Sequence, residues 1–416
     1  MNIWSIRTLQ GLDSVRAHWE QWQSHTNHDF AQFELVCQLR PEVESPFVTV
    51  IERDGQPRTL LAGRLERTMF APTIGYLTPI RIPATMLSVI HQGVVGPLDD
   101  EAAVQSIRYL RSLLHEGVAD AVAFHHLPEH SPLLKAIQRD RTARLQERTP
   151  RWSTHREMLL PAPGASIEQL LRAKHRTRIR KLRKELEAAF PKRVAWTWLT
   201  QFDNIPALCT RLEKVASRTY QRGLGAGFFD NEEFRRRLEL FARRKQLRVQ
   251  MLEIDGQARA FWFGTVYAGV FHSSETGYDP DLRAFEVGTL MFIKMVDELA
   301  REGVVRLDFG LGDAQYKERF GDRSWRETPV WLFAPTAKGV TLMLLLKASL
   351  LLDGAARRIV ARVGLTDKIK SAWRRRLDKG DSALPEIPGP YGTSPTSRTA
   401  ADPGTALPIT HAKDRP

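Results

Sequence analysis

Residues 306–323, RLDFGLGDAQYKERFGDR, set Gly310 and Gly312 ahead of Asp313, Tyr316 and Lys317. A structural turn needs one glycine. A carboxylate, a phenol and an ammonium in quick succession also offer proton transfer and neutralisation of an anion. Asp313 reads equally well as the N-cap of a helix beginning there, and Lys317 as a solvated cation. Asp308 closes the strand that leads into this loop. Upstream, the run VFHSSETG carries two more titratable groups. Strict strand alternation puts His272 and Ser274 on one face, and Ser273 and Glu275 on the other.

These groups need elements to position them, and the sequence writes those elements twice. VTVIERDGQPRTLLAG (48–63) matches VQMLEIDGQARAFWFG (249–264) in its valine, glutamate, Asp-Gly-Gln triplet, arginine and closing glycine. Each copy reads as a hairpin around an Asp-Gly pair, which accepts the positive φ angles of a type I′ turn. After the first copy come EAAVQSIRYLRSLLHEGV, apolar at helical spacing, and a strand, ADAVAF; after the second come VGTLMFIKMVDELAREGV and VVRLDF. Both helices end on Glu-Gly-Val, where Gly117 and Gly303 are placed as left-handed C-caps. The copies then diverge: the first has HHLPEHSPLLKAI where the second has the decorated loop. Duplicated lobes are expected, with only the second keeping that loop.

Between the lobes runs SIEQLLRAKHRTRIRKLRKELEAAF (166–190). Ser166 and Gln169 form a capping box, and Ile179, Leu182, Leu186 and Phe190 make one narrow apolar stripe. The remaining faces carry Arg172, Lys174, Arg176, Arg178, Arg180, Lys181, Arg183 and Lys184, so this helix is either solvated or the wall of an anion site. No interleaved aromatic set accompanies it. Residues 339–377 read as helical, apolar first and then basic, fit either to lie on an anionic membrane or to pack back on their own domain. From Gly380 onward proline, glycine, serine and threonine dominate, and a disordered tail is expected.

The 416 residues exceed one average domain. Their 42% hydrophobic and 26% charged content is an ordinary globular balance. The net charge of +13 points to anionic partners, or only to an arginine-rich composition. Two distant cysteines, Cys37 and Cys209, build neither a disulfide framework nor a metal site, so no metal is expected. The N-terminus lacks the apolar core of a signal peptide. The apolar run 340–352 falls short of a spanning helix and contains Lys347. A cytoplasmic protein is expected, with possible peripheral contact at the inner face of the membrane.

The second lobe's order of hairpin, strand VFHSSETG, helix, strand VVRLDF, short helix and strand TPVWLFA resembles the core of the GNAT N-acyltransferase superfamily. The pair of lobes resembles its tandem branch, the CelD-like cellulose-biosynthesis acetyltransferases and the FemAB-like aminoacyltransferases. MLLPAPGASIEQLLRAKHRTRIRKLRKELE, ASRTYQRGLGAGFFDN and LDFGLGDAQYKERFGDR resemble successive CelD-like segments.

The resemblance implies an α/β (α+β) fold of two tandem lobes with mixed, mainly antiparallel sheets flanked by helices. The expected divisions are a non-catalytic N-terminal lobe at 1–150, a linker strand and basic helix at 151–200, an acyltransferase lobe at 201–338, basic helices at 339–379 and a tail at 380–416. It further implies an acetyl-CoA or other acyl-CoA donor, its pyrophosphate on the amides of Val287, Gly288, Thr289 and Leu290, with Lys317 near a phosphate and Glu286 uncomfortably close. Tyr316 would be the acid that protonates the departing thiolate, Glu275 (or His272) the base, Asp308 the group orienting the acceptor, and Asp313 a further active or capping residue. No Ser-His-Asp order or Cys-His pair suggests a covalent intermediate, so direct transfer is expected. The acceptor would be an amino or hydroxyl group of a small molecule or of a sugar, cell-envelope or exopolysaccharide precursor. The alternatives are an aminoacyltransferase using aminoacyl-tRNA, the one reading with a nucleic-acid partner, and an inactive scaffold in polysaccharide assembly.

Overall fold

The computed structural model describes residues 1–362 except 76, 141–150, 224–225 and 313. One twelve-stranded sheet runs through the molecule. In chain order its strands are β1 (Asn2–Ile6), β2 (Val43–Arg53), β3 (Gln56–Phe70), β4 (Ile82–Val95), β5 (Ala121–Pro128), β6 (Ser153–Leu159), β7 (Val194–Leu199), β8 (Leu247–Ile254), β9 (Gln257–Tyr267), β10 (Val270–Tyr278), β11 (Arg306–Leu311) and β12 (Arg323–Phe333). Their spatial order is β1-β2-β3-β4-β5-β12-β6-β11-β10-β9-β8-β7. All pairs are antiparallel except β4/β5 and β10/β11.

The sequence repeat is a structural repeat. In the β2/β3 hairpin Asp54 and Gly55 have φ of 55° and 72°, and in β8/β9 Asp255 and Gly256 have 55° and 70°. Both hairpins shift register at the same step, between Ile51 and Glu52 and between Leu252 and Glu253. The helices Asp100–His115 and Val287–Arg301 follow, each ended by a glycine at φ 77°. The first starts on Asp99, whose carboxylate accepts from the Ala102 N–H at 2.7 Å, and buries Ile107, Leu110 and Leu114 against Val122 and Phe124. The second buries Leu290, Ile293 and Val296 against Trp262 and Leu307. Burial of this order, about 1.5–3 kcal/mol per large apolar side chain, is what holds each helix to its sheet face.

The division into lobes is less simple than the sequence reading. β12, expected to close the C-terminal lobe, pairs with β5 of the N-terminal half and with the linker strand β6. Its Val330 and Leu332 complete the N-terminal core. β6 in turn pairs with β11, so the linker is structural glue between the lobes rather than a tether.

The basic segment also departs from expectation. Ser166 caps only a short helix, Ile167–Leu170, and also donates to Asp297. The chain then extends through Leu171 and Arg172 before a second helix, Ala173–Ala189, starts without a side-chain cap. The apolar stripe is as read: Ile179, Leu182 and Leu186 are buried. The C-terminal helix Ala337–Arg362 packs Leu342, Met343 and Leu346 against Phe70, Trp331 and Phe333, while Leu344, Leu351 and Leu352 stay exposed. By length and composition alone its residues 337–356 could cross a membrane, longer than the 340–352 run suggested. The basic continuation to 377 and the tail from 380 lie outside the described residues.

Candidate functional site

The two parallel strand pairs hold the site. β10 and β11 pair over three steps only, ending at His272 opposite Asp308, and then diverge. Each strand carries a bulge at that point, at Ser274 in β10 and at Phe309 in β11. Bulges re-aim side chains. In an uninterrupted strand His272 and Glu275 would face opposite sides, as the alternation predicted; with the bulge between them both line one cavity. That cavity, about 200 Å³, lies between the lobes.

The double glycine has a geometric purpose. Gly310 and Gly312 have φ of 67° and 114°, which a side chain would resist, and the Gly310 N–H donates to Asp308 Oδ1 at 2.7 Å. The chain then turns into the helix Gln315–Phe320, with Ala314 at its N-cap position and no side-chain cap. Asp313, expected as cap or active group, lies outside the described residues. Tyr316 is half-buried among Trp262, Phe292 and Phe309 and lines the cavity. Lys317 corrects the sequence reading. It is fully buried, and its ammonium donates to the carbonyls of Phe309 and Leu311, both at 2.7 Å. It fixes the turn.

Asp308 is the centre of a histidine cluster that the sequence reading missed. His155 Nε2 lies 2.6 Å from Asp308 Oδ1, His272 Nδ1 lies 3.2 Å from Oδ2, and His25 Nε2 lies 3.5 Å from Oδ2. On its other side His155 Nδ1 is 3.1 Å from Glu327 Oε1, and His91 Nε2 is 2.8 Å from Glu327 Oε2. Burial opposes charge on His155, but the hydrogen bonds to Asp308 and Glu327 outweigh it and lift its pKa to about 9. Burial likewise opposes ionisation of both carboxyls, and their histidines hold them below the usual range. His155 is therefore an imidazolium bridging two carboxylates. Burial drives His25 down to about 3 and His126 to about 4, so both rings are neutral.

His25, His272 and Asp308 group ligand-type atoms closely enough for a metal ion, as do His91, His155 and Glu327. The protons decide what the first group does. His25 Nδ1 accepts from the Asn27 N–H at 2.9 Å, so its Nε2 carries the hydrogen and points it at Asp308 rather than offering a lone pair. His155 joins the two groups, its Nε2 on Asp308 at 2.6 Å and its Nδ1 3.1 Å from Glu327. The arrangement is a hydrogen-bonded relay.

Three buried atoms of this wall have no hydrogen-bond partner of good geometry among the described residues: His272 Nε2, Glu275 Oε1 and His155 Nδ1, the last with Glu327 Oε1 at 3.1 Å. With Nδ1 on the Asp308 carboxylate, His272 turns its Nε2 toward the cavity. Glu275 is pushed up to about 8 by burial, opposed only by Arg237. Neither cysteine competes as a nucleophile: both are buried, and burial pushes both thiols up to about 12.

The opposite wall comes from the N-terminal lobe, expected to be non-catalytic. It supplies His25, Arg40, Arg64, His91 and His125, and the helix Glu232–Arg243 adds Arg237. The signal was present in the histidines of SHTNHD and FHH, but their convergence depends on lobe packing. Thr26 meets Thr265 at 2.8 Å, and Asp29 accepts from Arg244 at 2.7 Å and from Tyr267 at 3.1 Å.

The expected phosphate cradle is at the start of the helix Val287–Arg301. Val287 and Leu290 bury their side chains in the core, and the Thr289 and Leu290 amides already bond Glu286 O at 2.8 and 3.3 Å. A Cβ on Gly288 would meet only the Tyr278 ring at 3.7 Å, an ordinary contact. Glu286 takes a left-handed turn and pairs with Arg178 of the basic helix. Arg319 is pushed down by burial and by Arg178, which places the two cations near each other. The basic helix is thus one wall of this helix start, and it neutralises the glutamate that the sequence reading set against a phosphate.

Residues 173–318 match the family described as acetyltransferase (GNAT) domain. No curated protein matches the chain. Among solved structures the fold is similar to FemX, at 10% identity and a TM-score of 0.52 over 80% of this chain and 97% of that one. L-PGS from Bacillus licheniformis aligns at 12% identity and a TM-score of 0.48, over 80% and 96%. A tandem GNAT protein from the clavulanic acid biosynthesis pathway aligns at 11% and 0.45, over 81% and 100%. The FemX likeness is one of fold. The chain is a mixed α/β protein of two repeated lobes, and its residues 173–318 are similar to a GNAT acetyltransferase domain.

Proposed function

We propose that the chain transfers an acyl group from an acyl-CoA directly to an amine, at the divergence of β10 and β11. The observation that carries this reading is the Asp308–His272 pair, which leaves one basic nitrogen buried and unpartnered in the cavity of a GNAT domain. The amine nitrogen attacks the thioester carbonyl, the C–N bond forms and the C–S bond breaks. His272 Nε2 takes the amine proton, and the Tyr316 hydroxyl protonates the departing thiolate. His272 is preferred to Glu275 as base because Glu275, at about 8, is still protonated at neutral pH.

The donor would lie with its pyrophosphate at the start of the helix Val287–Arg301, between Arg178 and Arg319, where a helix N-terminus and two guanidiniums favour an anion. The same basic wall supports a second reading, in which aminoacyl-tRNA is the donor. The acceptor is read as a sugar or cell-envelope precursor in the cytoplasm, with the exposed Leu344, Leu351 and Leu352 supporting contact with a membrane face through 339–377. The test is kinetic. His272→Gln should lower kcat by about 10²–10⁴ with donor affinity unchanged; a variant with wild-type kcat contradicts the assignment. Release of acyl groups from aminoacyl-tRNA and not from acyl-CoA would favour the second reading.

A further inference from the structure

The cavity is polarised. One end holds the Asp308–His155–Glu327 relay, in which two carboxylates share one imidazolium. At the other end three guanidiniums share two carboxylates. Arg40 forms a two-pronged pair with Glu233, Nε to Oε2 at 3.0 Å and Nη2 to Oε1 at 2.8 Å. Arg64 Nε donates to Glu66 Oε1 at 2.8 Å. Arg237 reaches Glu233 only at 3.5 Å. The first end is thus rich in carboxylate and the second in guanidinium.

Buried polar atoms repeat the pattern. Besides His272 Nε2 and Glu275 Oε1, the cavity residues Arg237, His125 and Gln32 each leave an atom without a hydrogen-bond partner: Nε, Nε2 and Oε1. Gln32 spends its amide N–H on Thr26 O at 2.7 Å. Such atoms are costly to bury unless something satisfies them. His272 Nε2 lies on the ring that holds Asp308, and Arg237 Nε is a donor left over at the guanidinium end. Glu275, beside Arg237 and raised to about 8, is neutral near pH 7 and adds no negative charge to the guanidinium end. Burial and the neighbouring Arg64 hold His125 neutral as well. A volume of about 200 Å³ matches roughly seven waters of liquid, enough for a small molecule or the end of a larger one.

We propose that the Arg40, Arg64 and Arg237 end is a carboxylate subsite, and that the acyl acceptor is an amino-carboxylate, or the amino-carboxylate end of a larger molecule, bound with its amine at His272 and Asp308 and its carboxylate on Arg237. The word acceptor rests on the acyltransferase reading; the two-ended binding does not. A planar guanidinium suits a carboxylate because its paired N–H groups match the two oxygens. The subsite also gives the N-terminal lobe a role in choosing the substrate, since two of its three arginines come from there.

The test is calorimetric titration of the full chain with glycine, β-alanine and 4-aminobutyrate, beside butylamine and butyrate. At least one amino-carboxylate should bind about tenfold or more tightly than either single-ended probe. In Arg237→Gln that advantage should vanish while butylamine binding is unchanged. Arg40→Lys, with thermal melting to check folding, should show the same loss. Equal binding of butylamine and the amino-carboxylates, no binding of any amino-carboxylate at millimolar concentration, or an advantage that survives both substitutions overturns the proposal. Turnover separates this result from the function itself: acyl transfer to uncharged amines without the binding advantage would keep the acyltransferase and remove the subsite.

Discussion

His155 Nε2 lies 2.6 Å from Asp308 Oδ1, with both side chains buried. A strand of the linker thus holds the carboxylate at the end of β11, and the same imidazole reaches Glu327 on β12. Removing this ring should leave two buried carboxylates without their shared cation. We expect His155→Gln to destabilise the chain by about 3–5 kcal/mol, read as a lower denaturation midpoint in urea. A loss below about 1 kcal/mol would mean that the carboxylates do not depend on that cation.

The same cluster sets a pH dependence. His155 has a folded pKa of about 9 against an ordinary 6.5, so its contribution is complete below 6.5 and is lost as pH rises through 9. Glu275, raised from 4.5 to about 8, acts in the same direction: the unfolded chain ionises first, and stability falls between those values. Asp308 and Glu327, held low, protect the fold above the usual carboxylate range and lose that effect on acidification. Melting temperature should therefore decline from pH 6.5 to 9, and more shallowly in His155→Gln. The measurement is a series of thermal melts across that window.

Lys317 should behave as a structural residue. Lys317→Met removes two buried hydrogen bonds from the turn that follows β11, at a cost of about 1–3 kcal/mol each. Affinity for acetyl-CoA should fall only as far as the folded fraction does. A folded Lys317→Met protein with selectively weakened donor binding would restore the role that its sequence position suggested.

Glu286 and Arg178 make opposite predictions. Taking the carboxylate from the helix start by Glu286→Gln should tighten an anionic donor about two- to five-fold. Arg178→Gln should weaken it by at least as much. Both are read from donor titrations at low ionic strength, and both effects should shrink in salt.

Much of the scaffold was legible in the letters. The Asp-Gly hairpins, the two C-cap glycines and the apolar stripe of Ile179, Leu182 and Leu186 are local signals, and local sequence determines them. The β10 bulge was not legible, because strand alternation is a period and a bulge breaks it without a required residue type. That one step brought His272 beside Glu275. Lys317 misled because a lysine after a glycine loop reads as exposed until the turn folds over it. His25, His91 and His155 were invisible as a group because they come from three distant segments joined only by the continuous sheet. The place of β12 beside β5 is non-local in the same way.

The most direct test of the central claim is a thermal-shift titration of the full chain with acetyl-CoA, run on wild type and on Gly288→Glu. Wild type should show a saturable rise, since a ligand bound only by the folded state stabilises it by about 2.7 kcal/mol at a hundred times its dissociation constant. The carboxylate in Gly288→Glu should abolish that rise while leaving the melting temperature without ligand close to wild type. No shift in wild type at millimolar acetyl-CoA, or an undiminished shift in the variant, would contradict an acyl-CoA site at the start of the Val287–Arg301 helix.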